Sequence, residues 1–288
     1  MKVVGGSASV SLARGIAKDL GATFIDVAFE RHPGGFPDGE RYVRLLAPVA
    51  GDHVVLVQTT YPDPMIVELF LLADAIREGG AKRVTAVIPY FGYGRQDKRF
   101  LDGEAVSAKT IAKHIAVDCD ELLTMAFHNP DLLRTFPIPA REVSGIPALA
   151  RYLKSVKVDV LLGPDENAIR FAKEASAVAG VPFDFLVKER IDSYTVKIEP
   201  KALAVKGKSV VIVDDVISTG GTIATATREL RKQGARRVAA ACVHGLFVKG
   251  AETNLTALDD VIATDTIQSP HTKVSVAPEF AAAIRALG

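Results

Sequence analysis

Within Ser209-Val-Val-Ile-Val-Asp214-Asp215-Val-Ile-Ser218-Thr219-Gly220-Gly221-Thr222, an apolar β-branched run leads into two adjacent carboxylates and then a loop of hydroxyls and glycines. The run reads as a buried strand, and Ile223 to Leu230 reads as a helix that stops near Gly234. A strand, a polar loop and a helix together place ligand groups at the carboxyl edge of a parallel sheet. Free N–H groups at the start of such a helix, with hydroxyls and close-approach glycines, make a phosphate cradle. The loop has no GxxxxGK[ST] lysine, which excludes a nucleoside-triphosphate P-loop here. Its own side-chain charge is negative, and the pair Asp214 and Asp215 suits hydroxyls or a hydrated Mg²⁺. A sugar phosphate has that polarity. The plainer reading is two acids ending a strand and two glycines making a turn, but desolvating adjacent carboxylates is costly and favours a functional pair.

Five other clusters carry charge or hydrogen-bonding groups. Tyr90 to Phe100 is a glycine-punctuated loop in which Arg95, Lys98 and Arg99 can clamp an anion and Gln96 can read a base or ribose; a solvated charged loop is the alternative. Phe36-Pro-Asp38-Gly-Glu40 joins an aromatic to two acids, as a purine would require, or simply opens a hairpin. His128 stands at the end of a strand and suits a phosphate or a metal-bound water, or it is a loop histidine with Asn129 or Asp131 capping the next turn. Asp165 is either a helix cap or a partner of Mg²⁺. Lys188 and Arg190 alternate onto one face of an extended segment, where they meet one anion or only solvent.

Short β-branched runs alternate with amphipathic helical stretches and so position these residues. Strands are predicted at Lys2 to Gly5, Thr23 to Phe29, His53 to Gln58, Arg83 to Ile88, Glu121 to Met125, Val158 to Leu162, Phe183 to Val187, Ser209 to Val213, Arg237 to Val243 and Val261 to Thr264. Helices are predicted at Ser7 to Leu20, Pro64 to Glu78 with Asp63 as its cap, Ser107 to Ala116, Asp165 to Ala179 and from about Pro278. The fold class is therefore α/β, with two similar domains, each a mainly parallel sheet flanked by helices. The expected boundary gives domains 1–145 and 146–288, the last helix being a candidate to pack back on the N-terminal domain.

The 288 residues have a net charge of +1, which leaves no case for a nucleic-acid-coating or membrane-surface protein. No apolar run approaches the roughly 20 residues of a membrane span, and the first residues lack a signal-peptide core. Cys119 and Cys242 sit singly within apolar segments, as thiols of a reducing cytoplasm do, and a cytoplasmic location is expected.

Taken together, Phe36-Pro-Asp-Gly-Glu40, Tyr93-Gly-Arg-Gln-Asp97, the histidine loop and Val213-Asp-Asp-Val-Ile-Ser-Thr-Gly-Gly-Thr222 resemble the ribose-phosphate pyrophosphokinases over nearly the whole chain, in particular their compact archaeal kind. The last motif is common to type I phosphoribosyltransferase folds, and the Arg-Gln-Asp loop narrows the resemblance. It implies an enzyme that transfers the β,γ-pyrophosphate of Mg-ATP to the C1 hydroxyl of ribose 5-phosphate. Asp214 and Asp215 would hold ribose hydroxyls and Mg²⁺, and Ser218, Thr219, Gly220, Gly221 and Thr222 would hold the 5-phosphate. Arg95, Gln96 and Lys98 would contact ATP, with Phe36, Asp38 and Glu40 binding adenine from a neighbouring subunit of a homo-oligomer. His128 and Asp165 would lie on the metal and ATP-phosphate side, and Lys188 and Arg190 would be the catalytic cations. Ser218 and Ala126 stand where many members carry acids, so no carboxylate role is carried to either. The rival readings are a base phosphoribosyltransferase that consumes the product and a non-catalytic regulatory homologue.

Overall fold

The computed structural model describes residues 1–31, 36–127, 129–166, 168–186, 188–190, 196–198, 204–248 and 250–288, with 188–190 and 196–198 described as backbone only. They form two compact units, Met1–Ser144 with Ser275–Gly288, and Gly145–Val274.

In the first unit the order is β1 (Lys2–Gly5), α1 (Val10–Leu20), β2 (Thr23–Ile25), β3 (Val27–Ala28), β4 (Arg44–Leu45), β5 (His53–Val57), α2 (Pro64–Glu78), β6 (Arg83–Ile88), α3 (Ser107–Asp118), β7 (Glu121–Met125), a 3₁₀ turn (Pro130–Thr135) and β8 (Ala140–Val143). Six strands make a parallel sheet in the order β2-β1-β5-β6-β7-β8. Val4, Val54, Leu56, Val84, Ala86 and Ile88 pack against Leu69, Leu72 and Ile76 of α2 and Ala112 and Ile115 of α3. Their neighbours Val3, Val55, Val57 and Val87 are buried as well. Burial of both sheet faces is why these strands read as continuous apolar runs.

The second unit comprises α4 (Ile146–Ser155), β9 (Val160–Gly163), α5 (Ile169–Ala179), β10 (Phe183–Phe185), β11 (Lys188–Arg190), β12 (Val196–Ile198), β13 (Ser209–Ile217), α6 (Gly221–Lys232), β14 (Arg237–Gly245), α7 (Ala251–Leu255), β15 (Asp260–Thr264) and β16 (Thr272–Val274). Its parallel sheet runs β10-β9-β13-β14-β15-β16, while β11 and β12 form a separate antiparallel ladder. Val210, Ile212, Ala240 and Cys242 face Ile223, Ala226 and Leu230 of α6. The last helix, α8 (Ala277–Arg285), belongs to the first unit, where Arg285 donates to the carbonyl of Asp19 at the end of α1. Among the described residues no helix is long and apolar enough to cross a membrane.

Several predicted boundaries move, for identifiable reasons. The helix predicted from Ser7 begins at Val10, because Ser7 and Ser9 serve tertiary contacts instead. Ser7 donates its N–H and hydroxyl to the buried Glu68, and Ser9 Oγ accepts from Thr59 N. Asp63 does precede α2, but its carboxylate accepts from the Tyr93 hydroxyl at 3.0 Å and caps no backbone N–H. The central strand extends four residues beyond Val213, through both acids to Ile217.

Candidate active site

The strand order explains how Asp214 and Asp215 come to lie at an open edge. β9 pairs with β13 only at Val210, Val211 and Ile212, whereas β14 continues alongside it to Ile217. Beyond Ile212, β13 thus has a sheet partner among the described residues on one side alone. The acids satisfy local backbone donors there: Asp214 Oδ1 accepts from Asp215 N at 2.9 Å and Asp215 Oδ1 from Val216 N at 2.8 Å. This is the crevice beyond the carboxyl end of a strand in which α/β sheets bind ligands.

Burial, and then the adjacent Asp215 charge, push the Asp214 carboxyl well above the usual range, and Asp165 adds to the same field. No cation among the described residues forms an ion pair with either member of the pair. Asp165, in the loop after β9, accepts from Ala168 N at 3.1 Å, but α5 begins only at Ile169 and no described side chain caps it. The helix predicted from Asp165 thus starts four residues later, and Asp165 closes the turn before it. Asp165, Asp214 and Asp215 therefore share one sheet edge, although the described residues contain no group of three or more ligating side chains with metal-site geometry.

The segment after β13 needs glycine for its conformation and its packing on the rest of the unit. Gly220 precedes α6 with φ 74°, and a Cβ there would lie 3.1 Å from Leu255 Cδ2. No described side chain caps α6, which leaves its first N–H groups to an outside acceptor. The loop is held from behind: Val248 N donates to the carbonyl of Ser218 at 3.1 Å, and Asn254 Nδ2 to that of Thr219 at 2.8 Å. Asn254 escaped the sequence reading because its partner lies 35 residues away and no local pattern marks the contact. Gly220→Ala is expected to cost about 1–2 kcal/mol from the positive φ and to raise the KM for a phosphorylated substrate. Thermal melting combined with substrate titration would check both effects, and an unchanged melting temperature would contradict the assigned strain.

In the first unit the charged loop leaves β6 and the histidine loop leaves β7, neighbouring strands of one sheet. The two loops are tied together, since Asn129 Nδ2 donates to Asp97 Oδ2 at 2.6 Å and Asn129 Oδ1 accepts from Asp131 N. Ala126 enters the turn at φ 43°, and Phe127 packs edge-on to Phe91. Glu104 organises the charged loop by accepting from Phe100 N at 2.7 Å, Leu101 N at 3.0 Å and Gln96 Nε2 at 3.2 Å. Those backbone donors hold its carboxyl below the usual range. Glu104 was absent from the sequence-predicted site; an acid eight residues after Gln96 in a cationic loop was the signal for it. Arg95 and Lys98 are exposed, and Gln96 is half-buried.

Phe36 to Gly39 forms the expected turn, closed by Gly39 N donating to the carbonyl of Phe36, with Gly39 at φ 80°. Only Arg44–Leu45 then becomes strand. Phe36 lies edge-on to Tyr42 with ring centroids 6.1 Å apart, while Asp38 and Glu40 are exposed. His128 and the side chains of Lys188 and Arg190 lie outside the described residues.

The N-terminal domain of ribose phosphate pyrophosphokinase matches residues 1–117, and the phosphoribosyl transferase domain matches residues 139–279. A ribose-phosphate pyrophosphokinase of Methanopyrus kandleri is 42% identical over all of this chain and 99% of its own length. This chain belongs to the ribose-phosphate pyrophosphokinase family. A second member, from Methanothermobacter thermautotrophicus, is 40% identical over 97% of this chain and 98% of its own. The phosphoribosylpyrophosphate synthetase of Mycobacterium smegmatis superposes with a TM-score of 0.81 at 29% identity, covering 99% of this chain and 98% of that one. As a ribose-phosphate pyrophosphokinase the chain is a transferase enzyme, and its two matched regions meet the family's phosphoribosyltransferase-type architecture with the two parallel sheets described above.

Proposed function

We propose that the chain transfers the β,γ-pyrophosphate of ATP to ribose 5-phosphate, giving 5-phosphoribosyl 1-pyrophosphate and AMP. The observation that carries this reading is the acid pair on the half-unpaired end of β13, followed at once by the uncapped start of α6. These two groups have the polarity of a sugar phosphate, with hydroxyls toward Asp214 and Asp215 and the 5-phosphate on the N–H groups of Gly221 and Thr222. Ser218 and Thr219 offer hydroxyl donors to the same phosphate.

The C1 hydroxyl oxygen attacks the β-phosphorus in line; the bond from that phosphorus to the α-bridging oxygen breaks, AMP leaves with the bond's electron pair, and the hydroxyl proton passes to solvent. Arg95, Gln96 and Lys98 are proposed to bind the donor, with the loop held in shape by Glu104 and by the Asn129–Asp97 bond. Phe36, Asp38 and Glu40 are proposed to receive the adenine of a neighbouring subunit's ATP, which makes a homo-oligomer part of the reading. Lys188 and Arg190 supply positive charge to the transferring diphosphate, so the protein's work is positioning and charge neutralisation.

The acid pair also fits Mg²⁺, since adjacent carboxylates without a described cation are a hard oxygen donor set. Asp214 and Asp215 would hold the ion beside the substrate oxygens, with Asp165 and His128 on the donor side. Bound there, Mg²⁺ would supply charge to the diphosphate. The direct test is AMP formation from ATP and ribose 5-phosphate with no nucleobase present. A rate at background, with a base-dependent reaction in its place, would overturn the proposal in favour of a base phosphoribosyltransferase.

A further inference from the structure

The core-facing side of α2 carries Met65, Leu69, Leu72 and Ile76, and one position on it breaks the apolar pattern. Glu68 is fully buried there, where helical spacing calls for an apolar residue. A carboxylate in such a place is costly and persists only where donors and a countercharge meet it. Glu68 has both. Ser7 N donates to its Oε1 at 2.6 Å, Ser7 Oγ to Oε2 at 2.8 Å and Gln58 Nε2 to Oε1 at 2.8 Å. The guanidinium of Arg41, one residue past Glu40, lies 3.8 Å from Oε2. We propose that Glu68, acting through Arg41, is a positioning residue that fixes the 36–40 turn for the adenine of a neighbouring subunit's ATP; this rests on the adenine reading of that turn given above.

Two observations make the pair an anchor. Of residues 36–42, only Arg41 makes a polar contact outside the segment among the described residues. The other contacts are internal: Gly39 N donates to the carbonyl of Phe36, Glu40 N to Asp38 Oδ1, and the Phe36 ring meets Tyr42. Strand pairing starts only at Arg44, so the turn is placed by this arm and by Val43 and Leu45, which pack on the core. The buried end of the pair is also built rather than incidental. Gln58 is fully buried, and its carbonyl oxygen has no partner among the described residues, so its amide is held toward Glu68 at a cost. A Cβ on Gly6 would lie 2.4 Å from that carbonyl oxygen, and the glycine leaves it room. An exposed acid would follow a mobile arginine, whereas a carboxylate held by three donors fixes the arginine and the turn with it.

The test is calorimetric titration of ATP, inorganic tripolyphosphate and ribose 5-phosphate, each alone, into the full chain. The variants are Arg41→Met, Glu68→Gln, the two combined, and Phe36→Ala as the probe of the turn itself. ATP affinity is expected to fall about tenfold in each of the first two and no further in their combination, because either change frees the same arm. Affinities for tripolyphosphate and ribose 5-phosphate should stay within about twofold, which a general loss of structure would not allow. ATP affinity unchanged in Arg41→Met but weakened in Phe36→Ala would overturn the anchor and leave the adenine reading standing. An unchanged affinity in Phe36→Ala would overturn both, whatever Arg41→Met does. Additive losses in the combined variant, or a parallel loss of tripolyphosphate, would also overturn the proposal. Arg41 is partly exposed, so Arg41→Met decides the matter if Glu68→Gln does not fold.

Discussion

Lys188→Ala is expected to lower kcat by roughly 10²–10³-fold while the affinity for ATP changes by less than about threefold. The reason lies in where charge develops. As the β,γ-diphosphate passes from AMP to the ribose oxygen, negative charge grows on the leaving oxygen and spreads over the transferring group. A cation that meets this charge only in the transition state raises kcat, while one that meets ATP equally in the ground state lowers KM instead. Lys188 begins β11, a strand joined to β12 outside the main sheet. Single-turnover rates together with ATP titration under non-reacting conditions separate the two effects. Equal losses of binding and turnover would show that Lys188 is a ground-state ligand of ATP.

Asp214→Asn is expected to abolish turnover and yet stabilise the metal-free fold. Burial and the Asp215 charge hold the Asp214 carboxyl above its ordinary value, so the folded state resists its ionisation. A group with a raised folded-state pKa adds most to stability below its unfolded value, and that contribution is lost as pH rises toward the folded value. At neutral pH the wild type therefore carries a penalty that asparagine removes, whereas near pH 4 the two proteins converge. A gain of about 1 kcal/mol, or roughly 3 °C in melting temperature, is the expected size at neutral pH in chelator. A variant that melts lower at neutral pH than the wild type would show that the carboxylate holds the fold together. The buried thiols give no comparable effect, because both are driven toward the neutral form: burial pushes Cys119 up to about 12 and Cys242 higher still.

The parallel α/β architecture was legible because it rests on signals that tertiary context does not reverse. His53–Val57, Arg83–Ile88 and Glu121–Met125 are β-branched or apolar runs buried on both faces, and α2 carries a proline at its first position and two glycines past its end. What escaped was set by partners remote in sequence. Nothing local says that β14 accompanies β13 past the acids while β9 stops short, yet that difference opens the site. Ser7 and Ser9 look like helix residues until Glu68 and Thr59 claim their side chains. Asp63 looks like a cap until Tyr93 reaches it. The acids and glycines of the acceptor loop were visible as chemistry from their types alone. Asn254, which holds the acceptor loop in shape, was not, since it works through a backbone carbonyl 35 residues away, while Glu104 was signalled only by being an acid in a cationic loop.

The central claim is a division of labour, with ribose 5-phosphate held by the Asp214–Thr222 segment of the second unit and the nucleotide by the Arg95 loop of the first. It is tested most directly by titrating ribose 5-phosphate alone into the wild type, Asp215→Asn and Arg95→Ala. The account predicts an affinity about tenfold or more weaker for Asp215→Asn and within about twofold of wild type for Arg95→Ala. Loss of ribose 5-phosphate binding in Arg95→Ala, with Asp215→Asn unaffected, would contradict it.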